Sequence, residues 1–474
     1  MFNRSSGVLM HISSLNGKYG CGTFGTAAKH FIDFLKKCNY KIWQILPLSP
    51  VDECGSPYKS VSAFAGNPYF IDPDELFSMG LISENELNAC ETQSPYGIDF
   101  VFLKRTRLPM LKSAFLNADT HLLSECEAFS KENSYWLDGY AEFMADRDGN
   151  EILFHKFVQY LFDKQWRKIK KYANENGVSI IGDMPLYVSN DSCDFEKNKK
   201  IFMTDEDGNL SSVAGVPPDY FAKEGQLWGN PLYDWEAMKE NGYEWWMMRI
   251  GRCLELYDAV RIDHFRGLSA FYSIPSTDNN ALNGEWIDGP KNDFFDCLNK
   301  RFPNAKIIAE DLGTLDQGVT DLLEYSGLYG MRVFQFGFDG DSENRHLTEN
   351  YVKNSVAYTG THDNNTLLGW MWEMDENARN YVLNRLDFSG DWGKGGRDNT
   401  ICKNIIEKVW LSDADIAIVP IQDLLGFGSD TRMNTPGTIE NNWQYRIIEQ
   451  NLDEIDIEFF SKLNVRSNRC NNMI

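Results

Sequence analysis

Asp183, Asp263, Glu310 and Asp363 each end or follow a short apolar run, with Arg261 two positions before Asp263 and His362 beside Asp363. A carboxylate at the end of a buried run is costly unless it is paired or hydrogen-bonded, so a structural ion pair or a helix cap accounts for any one of them. For Asp311, which begins a turn into a helix, that structural reading is preferred. For Asp263, Glu310 and Asp363 together it is weaker, because packing does not explain three acids facing one mouth. Such acids without a Cys/His ligand set suit glycosyl transfer: one attacks the anomeric carbon, one protonates the leaving oxygen, and one stabilises the oxocarbenium-like transition state. The competing chemistry is a Mg²⁺ or Mn²⁺ site of the kind a sugar isomerase uses. Arg261 projects to the same side of its strand as Asp263 and argues against the metal, since a fixed cation already lowers the carboxylate's basicity. His362 is ambiguous alone; as a neutral imidazole it can donate to a sugar hydroxyl. His121, His155 and His346 read as surface or core histidines.

The elements that must position these groups recur along the chain. Runs at Gly7–His11, Lys41–Leu46, Val178–Asp183, Ala259–Asp263, Lys306–Glu310, Met331–Phe336, Val356–Thr359 and Asp415–Val419 are mostly apolar without alternation. Parallel strands covered on both faces look like this. Helical patterns lie between them: after Thr26, a candidate cap; from Ile152 to Ala173, closing at Gly177; and at 291–302 and 314–326. Helix, short stop and parallel strand, repeated eight times, predict an α/β fold, a (β/α)₈ TIM barrel, with a doubly wound open sheet as the competitor. Such a barrel uses about 250 residues, so close to half of the chain is insertion. The excess is assigned to about 50–150, 190–233 and 380–414, after the second, third and seventh strands. The first includes a capping box from Ser83 to Glu86. No repeat or linker marks a second domain, so residues 1–474 are expected to form one catalytic domain without a C-terminal β-sandwich.

Composition narrows the partners. The 474 residues include 69 acidic and 46 basic side chains, a formal net charge of −23, and the pI is near 4.8. Nucleic acid and anionic membrane are poor partners for such a surface. No export pattern opens the sequence and no uncharged run approaches the ~20 residues that span a bilayer, so a cytoplasmic protein is expected. The 10 cysteines are scattered without ligand spacing, which favours reduced thiols over disulfides or zinc. Aromatic residues make up 14%; an excess of this kind can stack on a neutral ligand.

At RIDHFRG (261–267), IIAEDLG (307–313) and TGTHDNNT (359–366) the sequence resembles the α-amylase clan in its 4-α-glucanotransferase branch, the amylomaltases or disproportionating enzymes. The branch rests on SPYKSVSAFAGNPYFIDP (56–73), GDMPLYV (182–188), GVPPDYFAKEGQLWGNPLY (215–233) and GSDTRMNTPG (428–437). The resemblance implies Asp263 as nucleophile, Glu310 as general acid/base and Asp363 as the acid that binds hydroxyls of the distorted ring. It places Arg261, Asp183 and His362 around the cleaved sugar, Tyr58 as a stacking platform and Ser56 nearby. It brings Asp219, Phe221, Gln226 and Trp228 over the acceptor side, with Asn434 and Pro436 on the opposite wall. Implied substrates are maltooligosaccharides, amylose or other α-1,4-glucans, with no cofactor or metal, in a monomer or small homo-oligomer. An α-glucan hydrolase of the same clan is the alternative, and a catalytically dead glucan-binding protein is the reading from another class. Tyr445, where the family pattern suggests Trp, and the last ~25 residues depart from the resemblance.

Overall fold

In the computed structural model, which describes residues 2–92, 94–218, 223–313 and 315–473, the apolar runs become the staves of a barrel. Twelve strands occur among these residues: β1 (Ser5–Leu9), β2 (Ile42–Gln44), β3 (Ser179–Met184), β4 (Ser212–Val216), β5 (Gln226–Pro231), β6 (Ala259–Ile262), β7 (Ala270–Pro275), β8 (Glu285–Asp288), β9 (Ile307–Ala309), β10 (Tyr329–Val333), β11 (Ser355–Tyr358) and β12 (Ile416–Pro420). Eight of them close a barrel in the order β1-β12-β11-β10-β9-β6-β3-β2, every pairing parallel. Each of the eight apolar runs in the sequence overlaps one stave, with ends displaced by up to three residues. The sixth run is divided: β10 ends at Val333, and Phe334–Phe336 is a 3-10 turn.

Helices Thr26–Lys37, Ile152–Glu175, Glu244–Leu256, Lys291–Arg301, Gln317–Ser326, Thr400–Leu411 and Ile457–Arg466 surround the staves. The βα cadence is incomplete, because residues 334–354 between β10 and β11 hold only two 3-10 turns. That stretch is rich in Gly, Asp and Asn, and its side chains bond their own backbone, as Asp339 and Asp341 do in accepting the amides of Asp341 and Glu343. Such local bonds compete with a helix. Thr26 is the first residue of its helix, whose N-cap Gly25 has no side-chain bond, so it is not the expected cap. The capping box at Ser83 and Glu86 forms with both bonds.

Between β2 and β3, helices Phe100–Leu116, Thr120–Glu132 and Ser134–Asp148 lead into Ile152–Glu175. The 190–233 stretch contributes β4 and β5, which join β7 and β8 in an antiparallel sheet of order β5-β4-β7-β8. Sequence reading did not foresee this sheet. Residues 380–414 include the end of helix Glu376–Arg385 and the barrel helix Thr400–Leu411, so much of that stretch is ordinary barrel. After β12 helices, turns and two isolated antiparallel bridges follow among the described residues, Tyr445 with Gly97 and, near the end, Cys470 with Ser5. Arg469 is fully buried there and donates to the carbonyls of Ser5, Trp410, Ser412, Ala414 and Asp415, which ties the tail to the N-terminal rim of the barrel. Among the described residues no helix is long and apolar enough to cross a membrane.

Candidate active site

The acids stand at the C-terminal rim, where barrel enzymes carry their chemistry. Asp183 lies within β3, opposite Arg261 of β6 in the parallel register, and Asp263 and Glu310 immediately follow β6 and β9. Ladder bonds continue past the strand ends: the Asp263 amide donates to Met184 O at 3.0 Å and the Glu310 amide to Ile262 O at 2.9 Å. Both carboxylates therefore project from backbone as rigid as the staves. Gly182 permits close packing behind Asp183, since an added Cβ there would fall 2.1 Å from the Tyr257 ring.

Arg261 joins two of the acids. Its Nη1 donates to both Asp183 oxygens at 2.7 and 2.8 Å, and its Nη2 to Asp263 Oδ1 at 2.8 Å. The Asp183 side chain is 1% exposed, whereas Asp263 is 28% exposed to the cleft. Burial pushes Asp183 upward and Arg261 opposes it. Asp183 thus fixes Arg261, and Arg261 fixes Asp263.

Glu310 is held by backbone. Its Oε2 accepts the His264 amide at 2.6 Å and its Oε1 accepts the Leu312 amide at 3.0 Å. His264 reaches this position in the left-handed region, with φ 52°. Burial, followed by the negative charge of Asp263, pushes Glu310 up to about 8, against the opposing pull of Arg261 and the two amides. Burial lowers the His264 imidazole to about 4. A carboxyl kept protonated near neutrality beside an ion-paired carboxylate is the division of labour a retaining acid/base pair needs.

The third acid is set by two loops. Asn434 Nδ2 donates to Asp363 Oδ1 at 2.6 Å, and Arg432 donates to the Asp363 carbonyl at 2.5 Å. His362 Nε2 stands 3.3 Å from Asp363 Oδ1. The Asp363 side chain is nevertheless 45% exposed. Tyr58 donates to Asp183 Oδ2 at 2.7 Å, and its ring stacks on His362 with centroids 5.0 Å apart. Ser56 is present beside it, but its hydroxyl accepts the Tyr58 amide at 3.3 Å and so shapes the turn that presents Tyr58.

On the other side Trp228 packs edge-on against His264 at 4.9 Å, and its indole N–H donates to Gln226 Oε1 at 3.1 Å. Asp219 and Phe221, with Tyr220, lie outside the described residues. Asp311 behaves as the structural reading expects: Arg345 donates to its carboxylate, and the Met331 amide donates to it at 2.6 Å. Among the described residues no cluster of three His, Cys, Asp or Glu is arranged to hold a metal ion.

Sequence reading gave no role to four further residues. Trp443 completes a ring cluster with Tyr58 and His362 at 5.6 and 5.8 Å. His11, just beyond β1, is buried, lowered by burial to about 3, and leaves Nδ1 unpartnered. Arg432 and His264 act through backbone bonds. The position of His11 after a stave was a usable signal; the other three depend on contacts between distant segments or on backbone conformation.

The chain matches the sequence profile described as 4-alpha-glucanotransferase, glycoside hydrolase family 77, over residues 10–151 and 145–451. It is 39% identical to the 4-alpha-glucanotransferase of Streptococcus pneumoniae TIGR4, covering 95% of each chain. It is also 39% identical to that of Aquifex aeolicus, covering 97% of this chain and 98% of the other. The amylomaltase from Streptococcus agalactiae, solved in complex with acarbose, superposes with a TM-score of 0.93 at 35% identity, covering 98% of this chain and 99% of that one. The rim carboxylates, the closed barrel and similarity along nearly the whole length agree: this chain belongs to the 4-alpha-glucanotransferase family of glycoside hydrolases, family 77.

Proposed function

We propose that the chain is a 4-α-glucanotransferase that breaks an α-1,4 bond in a maltooligosaccharide or amylose and passes the released segment to the 4-hydroxyl of glucose or another glucan. Asp263 attacks the anomeric carbon as the glycosidic C–O bond breaks, and Glu310 gives its proton to the departing 4-oxygen. The glycosyl group is then an ester of Asp263. Esterification removes the negative charge that helps to hold Glu310 at about 8, so its carboxylate becomes the easier form when the acceptor arrives. Glu310 takes the acceptor proton, the acceptor oxygen bonds to the anomeric carbon, and Asp263 leaves. Two displacements at one carbon retain configuration. Asp363 grips hydroxyls of the distorted ring, and Tyr58, Asp183, Arg261 and His362 surround it.

The observation that carries this reading is the contrast between Glu310, held by the His264 and Leu312 amides and pushed above its ordinary value chiefly by burial, and Asp263, ion-paired to Arg261 at 2.8 Å. Transfer over hydrolysis is attributed to an acceptor-side wall containing Gln226 and Trp228. Seating a sugar hydroxyl there gives it an effective concentration that bulk water does not match. The 10 free cysteines, 7 of them buried, suit a cytoplasmic location, and we assign a monomer or small homo-oligomer. Incubation with maltotriose tests the reading. A ladder of longer glucans with free glucose supports it; shorter products alone would make the chain an α-glucan hydrolase.

A further inference from the structure

Asp423, three residues beyond β12, is 2% exposed and has no ion pair among the described residues. A buried carboxyl without a cation is costly and calls for a compensating use. Its two oxygens accept from two different places: Oδ2 from the Thr359 hydroxyl at 2.7 Å and Oδ1 from the Leu367 amide at 2.7 Å. Thr359 directly follows β11, and Leu367 opens the helix Leu367–Glu373. These are the two ends of the loop 360–366, which carries His362 and Asp363. The neighbouring Gln422 donates to Thr431 O at 3.1 Å, in the segment whose Arg432 and Asn434 hold Asp363 from the other side.

We propose that Asp423 is a positioning residue for Asp363, closing the loop 360–366 by bonding both of its ends from the exit of the eighth barrel strand. It touches no substrate and acts through the geometry of Asp363, so the inference rests on the reading of Asp363 given above. A clamp needs an acceptor for the Leu367 amide and a partner for the Thr359 hydroxyl, but not a charge. In Asp423→Asn the side-chain oxygen still accepts from Leu367, and the amide NH₂ donates to the Thr359 oxygen once that hydroxyl rotates. Asp423→Ala loses both contacts.

The test is steady-state disproportionation of maltotriose by the full chain, with kcat and KM determined separately for Asp423→Ala, Asp423→Asn, Thr359→Val and Asp363→Asn. Loss of Asp363 alignment raises the transition state more than it weakens substrate binding. Asp423→Ala is therefore expected to lower kcat by about 10- to 100-fold with KM changed less than about 3-fold. Asp423→Asn recovers most of that loss. Thr359→Val, which removes one contact at nearly constant volume, lowers kcat by about 3- to 10-fold and decides the matter if Asp423→Ala does not fold. Wild-type kcat in folded Asp423→Ala or in Thr359→Val, or a loss confined to KM, overturns the clamp while an inactive Asp363→Asn leaves the role of Asp363 standing. Wild-type kcat in Asp363→Asn overturns the role of Asp363 and the clamp with it.

Discussion

Replacing Asp263 with Asn shifts the titration of Glu310 by an amount that simple electrostatics bounds. Burial is the larger reason that Glu310 is pushed from 4.5 to about 8, and the Asp263 charge is the second. The substitution keeps the burial and removes the charge. Two unit charges about 5.5 Å apart, the spacing of a retaining pair, interact by roughly 3 kcal/mol at an effective dielectric constant of about 20, which is roughly two pKa units. Arg261 stays on Asp183 but loses one of its two counter-ions, which acts in the same direction. The expected outcome is a fall of roughly two units, stopping above the ordinary glutamate value because burial remains. Carbon-13 NMR of carboxyl-labelled glutamate, with Glu310→Gln to assign the resonance, reads the midpoint directly. The sign also fixes two dependences in the parent protein. Its kcat/KM falls as pH rises through about 8, because the first displacement needs the protonated acid. Since the folded pKa lies above the unfolded one, the folded state binds the extra proton between 4.5 and about 8, and stability declines with rising pH across that window. A Glu310 midpoint unchanged in Asp263→Asn would refute the coupling on which the proposed acid/base alternation depends.

Further perturbations test other parts of the site. Arg261→Met leaves Asp183 and Asp263 without their shared cation and is expected to cost about 3 to 5 kcal/mol of unfolding free energy in urea; adding Asp183→Asn should return part of it, and a cost below about 1 kcal/mol would contradict the buried pairing. Trp228→Ala removes a ring that is 39% exposed beside the cleft. It is expected to raise the KM for glucose as acceptor by about 3- to 10-fold and to increase the share of hydrolysis products; unchanged acceptor kinetics would remove Trp228 from the acceptor wall. Arg469→Met strands carbonyls at the closed base of the barrel, and a lower Tm with unchanged KM is the expected signature; an unchanged Tm would show that the tail contributes little to closure.

The staves were legible because strands covered on both faces must be apolar throughout, and the acids were legible because charge at the end of such a strand stands out. Arg261 and Asp263 could be assigned to one side from their spacing alone, and the structure joins them at 2.8 Å. The sheet of β4, β5, β7 and β8 was not legible. Of its strands, β5 (QLWGNP) contains Gly and Pro and β8 (EWID) is acidic and largely exposed, so neither alternation nor an apolar run marks these two. The partners of Asp363 were hidden for another reason: Asn434 lies 71 residues away in the chain, and only the resemblance placed it near the cleft. The role of His264 depends on a positive φ that residue type does not reveal. Local pattern thus reported burial and chemistry, while contacts closed by the fold needed the fold.

The covalent intermediate provides the most direct test of the central claim. Glu310→Gln incubated with α-maltotriosyl fluoride has a leaving group that needs no proton and lacks the base that would activate an acceptor, so the ester should accumulate. Mass spectrometry of the digested protein is predicted to find one maltotriosyl group on the peptide containing Asp263, absent from an Asp263→Asn/Glu310→Gln control. An adduct on another carboxylate, or turnover of the fluoride with no adduct in either protein, would contradict the account.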